Sequence, residues 1–244
     1  MPAHDPIRAL IVMDQRVIAE TITLTLNHGR YLARTARTLA EASALLSDWQ
    51  PQLAVVDVDL GGETLLQQLG LPPERRGTRI PVLALTRRGD LKAKLAAFEQ
   101  GVDDIMTVPF SPEELLARTL VLTRRAYGAQ HPLLPVLKLG DLEIDILNRV
   151  VRAGDSVLHL TGLEQSLLYL LAANAGRVVT RDEILDALWG MDYVAESNIV
   201  DRHIRALRVK LRNDWRRPRF IATVPGRGYR FLPLLAEPEP ENPA

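Results

Sequence analysis

At 244 residues the chain exceeds what one ordinary domain needs, and 47% hydrophobic with 25% charged residues is the composition of a folded protein rather than a disordered or collagen-like one. The absence of cysteine excludes disulfides, thiolate nucleophiles and thiolate-bound zinc or iron–sulfur clusters. No apolar run approaches the roughly 18 residues of a membrane span, and the N-terminal MPAHDPIRALIVMD has acids where a signal peptide is basic, so the expected place is the cytoplasm, away from membranes.

The first half alternates apolar runs with amphipathic segments. RALIVM (8–13), YLARTA (31–36), LAVVDV (53–58), PVLALT (81–86) and DIMTV (104–108) read as strands, and 16–27, 39–49, 63–69, 91–100 and 112–125 as helices. Thr38 with Glu41, and Ser111 with Glu114 around Pro112, are helix-opening signals. Strands alternating with helices predict a parallel sheet covered on both faces, a doubly wound α/β domain over residues 1–125. AYGAQHPLLPV (126–136) breaks every period and reads as a linker. A second domain over 137–234 opens with short strand-like pieces in LKLGDLEIDI, RVVRAG and SVLHL. Thr161 with Glu164 and Thr180 with Glu183 then open two helices, a third runs from about Ser197 to Arg212, and FIATV-PGRG-YRFL closes as a hairpin. The Pro/Glu tail, 235–244, is expected to be disordered.

A formal net charge of zero hides a gradient. Residues 1–125 hold 15 basic and 15 acidic residues, whereas 197–230 hold ten basic residues against two acids, Asp201 and Asp214, which points to a polyanionic partner. At about 100° per helical residue, Val200, Ile204, Leu207 and Leu211 form an apolar stripe. Asn198, Arg202, Arg205 and Val209 lie opposite, flanked by Arg208 and Arg212. Asn pairs with adenine and Arg with guanine in a major groove, or with phosphates beside it. A solvated arginine face has the same pattern, but Arg227 between Gly226 and Gly228 makes a small basic tip suited to a minor groove.

On LTGLEQSLLYLLAANAGRVVTRDEILDALWG, NIVDRHIRALRVKLR and IATVPGRGYRF, residues 137–232 resemble the winged helix-turn-helix effector domain of OmpR/PhoB-type response regulators. The resemblance implies an α+β fold whose third helix reads the major groove through Asn198, Arg202, Arg205 and Arg208, a wing touching the minor groove through Arg227, and a loop, 191–196, that meets RNA polymerase. Pro225 and Ala206 stand where relatives often carry Arg, which weakens the expected phosphate grip. Asp201 is expected to be structural, and His203 either contacts phosphate or packs.

Residues 7–125 resemble the receiver domain of the same family, a CheY-like, flavodoxin-like fold with strand order 2-1-3-4-5. Such a domain takes a phosphoryl group from a sensor histidine kinase on an Asp, with two further acids holding Mg²⁺, a hydroxyl bonding the phosphoryl group, a Lys offsetting its charge and an aromatic side chain moving inward. Asp57 matches the acceptor and Thr86 the hydroxyl. Met13 and Asp14 replace the acidic pair, Val108 the Lys before Pro109, Ile105 the aromatic, and Gly61 a Pro. Losing one preorganised charge costs about 3 to 4 kcal/mol of transition-state stabilisation. The expected receiver is therefore vestigial at Asp14, Asp57 and Thr86, with Asp57 bonded to Thr86. It has no catalytic residue and no cofactor beyond weak Mg²⁺ binding at Asp14 and Asp57. Asp59, read as sharing a strand face with Asp57, would repel it. Lys94, Asp103, Asp104 and Arg118 match the charged positions through which the family dimerises.

Together these features predict a non-enzymatic, dimeric regulator of transcription. It binds tandem half-sites of double-stranded DNA, acts independently of aspartyl phosphorylation, and has a receiver serving as a dimerisation or ligand-sensing module. The alternative is a conventional kinase-driven regulator phosphorylated at Asp57. Met13 and Val108 argue against an Mg²⁺-dependent phosphotransfer enzyme, and the ten basic residues against an adaptor without DNA binding.

Overall fold

β1 (Ile7–Val12), β2 (Tyr31–Ala36), β3 (Leu53–Asp57), β4 (Val82–Thr86) and β5 (Asp104–Thr107) pair in parallel in the order β2-β1-β3-β4-β5, the flavodoxin-like arrangement expected. The structure, a computed structural model, describes residues 6–27, 31–60, 79–87, 91–128, 136–146, 148–190 and 198–232, with 64, 66, 67 and 69 between. The expected helix at 63–69 falls mostly outside these residues, as do Gly61, linker residues 129–135, the loop 191–196 and the tail.

Successive strand residues face opposite sides of a sheet, so each strand feeds two cores. Ala9, Ile11, Val55, Leu83 and Leu85 join α1 (Arg16–Asn27) and α4 (Pro112–Tyr127) on one face. Leu10, Val12, Ala54, Val56, Val82 and Ala84 gather with residues of α2 (Leu39–Asp48) and α3 (Leu91–Glu99) on the other. Thr38 and Ser111 cap α2 and α4 as their spacing predicted, each accepting a bond from the Glu three residues on. α4 continues to Tyr127, two residues into the segment read as linker, and stops where Gly128 adopts a left-handed φ of 65°.

In the second half β6 (Val136–Leu139), β7 (Leu142–Asp145), β8 (Val150–Ala153) and β9 (Ser156–Leu158) form an antiparallel meander. α5 (Gly162–Ala173) and α6 (Arg181–Trp189) each begin with a complete capping box, at Thr161/Glu164 and Thr180/Glu183. α7 (Ile199–Lys210) and the hairpin of β11 (Ile221–Val224) and β12 (Gly228–Phe231) complete the winged helix. The sequence reading missed β10 (Val178–Thr180), which pairs antiparallel with β12 and makes the hairpin a three-stranded sheet. Three residues are too few to show a two-residue period, and Thr180 is read first as a helix cap.

α1 joins the halves. It packs on β2 and α4 of its own half and on α5 and α6 of the other, within one continuous apolar core. Its buried threonines are tolerated because the hydroxyls of Thr21 and Thr25 donate to carbonyls one turn back at 2.8 Å. Asn174 donates across the junction to the Val17 carbonyl at 3.4 Å, and Arg149 pairs with Glu113 at 2.7 Å.

The approach of β12 to β10 constrains one residue strictly. Gly228 has φ 151°, and a Cβ there would lie 2.1 Å from the Val179 carbonyl oxygen. Gly228→Ala should cost about 2 kcal/mol or more by overpacking against backbone, lowering the urea midpoint of the full chain; a wild-type midpoint would contradict this packing.

Candidate nucleic-acid interface and acidic site

α7 has the two-faced character its sequence predicted. Val200, Ile204, Leu207 and Leu211 are buried, whereas Asn198, Arg202, Arg205, Val209 and Arg212 are exposed, Val209 at 72%. The helix is shorter than expected: Asn198 stands at its N-terminal boundary without its side chain capping an amide, and Arg212 leaves the helix at φ 51°. Exposed Trp215 extends the groove beside Arg205, Val209 and Arg212.

Arg208, expected among the DNA-contacting residues, bonds within the chain. Its guanidinium turns towards the hairpin, donating to the Ile221 carbonyl at 3.1 Å and the Thr223 hydroxyl at 2.8 Å, 5.5 Å from the Tyr229 ring. Burial pushes its pKa down, opposed by Tyr229 and Asp201. It braces the helix against β11 because, as a flanking residue, it sits where α7 meets the sheet.

Asp201 is structural, as expected. It pairs with Arg181 at 2.7 Å and accepts a 2.6 Å bond from the Tyr229 hydroxyl, tying α7 to α6 and β12. Burial pushes the Tyr229 phenol up to about 12, and the bond to Asp201 adds to that. His203 packs, its ring 5.4 Å from that of Trp189. The sequence reading missed Asn213: its buried carbonyl oxygen accepts from the amides of Arg219, Phe220 and Ile221, and its amide donates to the Ile221 carbonyl. At the hairpin tip the Arg227 amide bonds the Val224 carbonyl at 3.0 Å across Pro225 and Gly226, with Gly226 at φ 68°, the Pro-Gly pairing of a type II turn. The turn leaves Arg227 exposed at the apex.

The acidic site lies at the carboxyl ends of β1, β3 and β4. Asp57 is 2% exposed, as is Thr86. Arg87 Nη2 donates to Asp57 Oδ2 at 2.9 Å and to Asp14 Oδ1 at 3.1 Å, and the Asp59 amide donates to Asp57 Oδ1 at 2.9 Å. Asp59 shares no strand face with Asp57, since Val58–Leu60 is a 3-10 turn, and Asp59 Oδ2 accepts the Arg87 amide at 3.1 Å. Burial pushes the Asp57 carboxyl up, with Arg87 and the Asp59 amide pulling it back. Met13 and Val108 are buried apolar side chains where the resemblance implied an acid and a Lys. Arg87 was the residue missed here, although a basic side chain directly after the hydroxyl position was visible.

Residues 9–120 match the family model of the response regulator receiver domain, and residues 154–231 that of the C-terminal domain of transcriptional regulatory proteins. Response regulator MprA from Mycobacterium sp. (strain KMS) is 36% identical over 227 residues, 92% of this chain and 96% of that protein. The chain belongs to the OmpR/PhoB-type response regulators. Similar solved structures include DrrB of Thermotoga maritima, an OmpR/PhoB homologue, at 30% identity over 93% of this chain and 99% of that one, with a TM-score of 0.42. The DNA-binding domain of Klebsiella pneumoniae RstA, solved with the RstA box, is 36% identical over 40% of this chain and 97% of that one, with a TM-score of 0.38.

As an OmpR/PhoB-type response regulator the protein is a DNA-binding regulator of transcription. Among its described residues no helix is long and apolar enough to cross a membrane. The four charged residues matched to family dimerisation are placed unequally. Arg118 pairs within the chain with Asp104 at 2.8 Å and Glu114 at 2.7 Å, and Asp103 with Arg79 at 2.9 Å, while Lys94 lies half-buried on α3.

The Arg181–Asp201–Tyr229 linkage makes stability depend on pH. Against the upward push of burial, bonds from Arg181 and Tyr229 hold the Asp201 carboxyl below its ordinary 3.8. A depressed folded pKa contributes stability above the unfolded value that is lost as pH falls through the folded one. Arg181→Ala should cost about 1 kcal/mol at neutral pH, both partners being partly exposed. The gap should close as acid protonates Asp201; an equal gap in urea titrations at neutral pH and at pH below that range would refute the linkage.

Proposed function

We propose that this response regulator binds tandem DNA half-sites as a dimer, independently of aspartyl phosphorylation. The exposed Asn198, Arg202, Arg205 and Val209 on α7, opposite a buried stripe, carry the DNA reading. This face enters a major groove about 12 Å wide, with Asn and Arg at base edges or phosphates and Val209 against a thymine methyl. Arg227 reaches the adjacent minor groove, where a narrow A·T tract attracts a guanidinium. Arg208 supports the reading helix from behind. Residues 191–196 meet RNA polymerase, as the family resemblance implies.

The dimer forms through α3, β5 and α4. Leu91, Leu95 and Phe98, at i, i+4 and i+7 of α3, are exposed, and a second copy would remove this stripe from water. Arg118 and Asp104 hold fixed charges beside it.

Phosphorylation independence draws on Met13, Val108 and Ile105 at three working positions and on Arg87 paired with the acceptor. A second reading, phosphorylation of Asp57 by a sensor histidine kinase, draws on Asp57 and Thr86, buried at the carboxyl ends of neighbouring strands.

Arg205→Ala should weaken specific binding by about 1 to 3 kcal/mol if it contacts a base, or reduce the salt slope by about one if it contacts phosphate. Unchanged affinity and slope in titrations on a mapped operator would remove α7 from the interface. Asp57→Ala should leave operator affinity nearly unchanged, and acetyl phosphate with Mg²⁺ should leave the intact mass of the wild type unchanged. Sedimentation without a phosphodonor should show a dimer that Leu95→Glu returns to monomer. An adduct that tightens wild-type but not Asp57→Ala binding would establish the second reading instead, and a wild-type monomer at all concentrations would exclude the dimer.

A further inference from the structure

A receiver of this family is expected to hold a divalent cation beside its acceptor. The residues present do not fit one. Met13, 1% exposed, puts a thioether where a second acid would ligate, and Mg²⁺ asks for oxygen ligands in near-octahedral array at about 2.0 to 2.1 Å. The two carboxylates that remain, Asp14 and Asp57, are bridged by one nitrogen of Arg87, at 3.1 and 2.9 Å. The Arg87 amide is held in turn by Asp59 at 3.1 Å. Among the described residues, no group of three or more His, Asp or Glu is placed to hold a metal ion.

We propose that Arg87 is a resident cation: its guanidinium takes the place of the divalent metal between Asp14 and Asp57 and closes the site to metal ions. Asp57 is almost fully withdrawn from water, and a buried carboxylate needs an opposite charge or must take up a proton. Three acids at one strand-end cluster repel one another unless a cation lies among them. A guanidinium supplies that charge from the chain itself, at no cost in metal affinity and at every Mg²⁺ concentration. It also stands between the two carboxylates that a metal would have to share. Arg87 follows Thr86 directly at the end of β4, and β4 lies beside β3, so a side chain pointing over the strand ends reaches Asp57. The inference deepens the phosphorylation-independent reading and rests on it, since a site closed to metal is closed to metal-assisted phosphoryl transfer.

The test is direct metal binding, with Mn²⁺ as the probe, followed by water-proton relaxation on the full chain and checked by the thermal shift with MgCl₂. Wild type should show no saturable site. Arg87→Ser, which leaves Asp14 and Asp57 facing an open cavity, should bind Mn²⁺ at least about tenfold more tightly, a difference of about 1.4 kcal/mol. Adding Asp14→Asn to Arg87→Ser should abolish that gain. Arg87→Gln, which keeps a hydrogen-bonding head but removes the charge, gives the same comparison should Arg87→Ser fold poorly. Saturable binding to wild type as tight as to the neutral variants would overturn the proposal, as would a gain that survives Asp14→Asn. The two ideas fail separately. Wild type that binds Mn²⁺ yet ignores Asp57→Ala defeats only the resident cation, and a metal-blind wild type still phosphorylated at Asp57 defeats only phosphorylation independence.

Discussion

A carboxylate cannot be buried alone, and this constraint organises the receiver half. Asp57 ends β3 with 2% of its surface exposed, at the point where the sheet brings three strand ends together. Water does not solvate it, so neighbouring residues must: Arg87 from the end of β4, the Asp59 amide from a 3-10 turn and, through the shared guanidinium, Asp14 after β1. Each contact fixes a segment that has no ladder of its own. The turn after β3 is shaped by the bond from its own amide back to Asp57, and the start of the loop after β4 by the Arg87 amide on Asp59.

The second half is held by the same economy of buried polar groups, applied to orientation. The angle of α7 to the hairpin is fixed by polar side chains that bridge the two. Three side chains set that angle. Asp201 ties α7 to α6 and β12, Arg208 ties it to β11, and Asn213 binds four backbone groups where the chain leaves the helix for the hairpin. Lys210 adds a 2.5 Å contact to the capping Glu164 of α5. Asp201, Arg208 and Asn213 also line the groove beside Arg205, Val209 and Arg212, so the groups that position the helix border its exposed face.

Between the halves, α1 behaves as shared core. Its apolar residues lie in one cluster with those of α5, and the back-bonding threonines let it carry hydroxyls into a buried junction without unpaired donors. The contact uses α5 and α6, and the exposed residues of α7 stay exposed with the receiver in place. The receiver thus supports the effector half without covering the exposed face of α7, and the apolar stripe of α3 is exposed as well.

What the sequence determined alone was everything governed by local period or local chemistry. The five parallel strands, the four helix caps at Thr38, Ser111, Thr161 and Thr180, and the two faces of α7 all follow from spacings of two to four residues, and the structure keeps them. The family was also legible, because its motifs run through nearly the whole effector half. Tertiary structure alone decided which polar groups meet. Arg87 lies 30 residues from Asp57 and 73 from Asp14, and its reach depends on β4 lying next to β3. Arg208, a flanking residue by helical period, meets the Ile221 carbonyl of β11, and Asn213 and Asp201 find partners eight and 28 residues away across the wing. Periodicity reports the direction a side chain leaves its own element. It holds no information on what stands in that direction, because that is set by strand order and helix packing, which bring distant segments together only once the cores have formed.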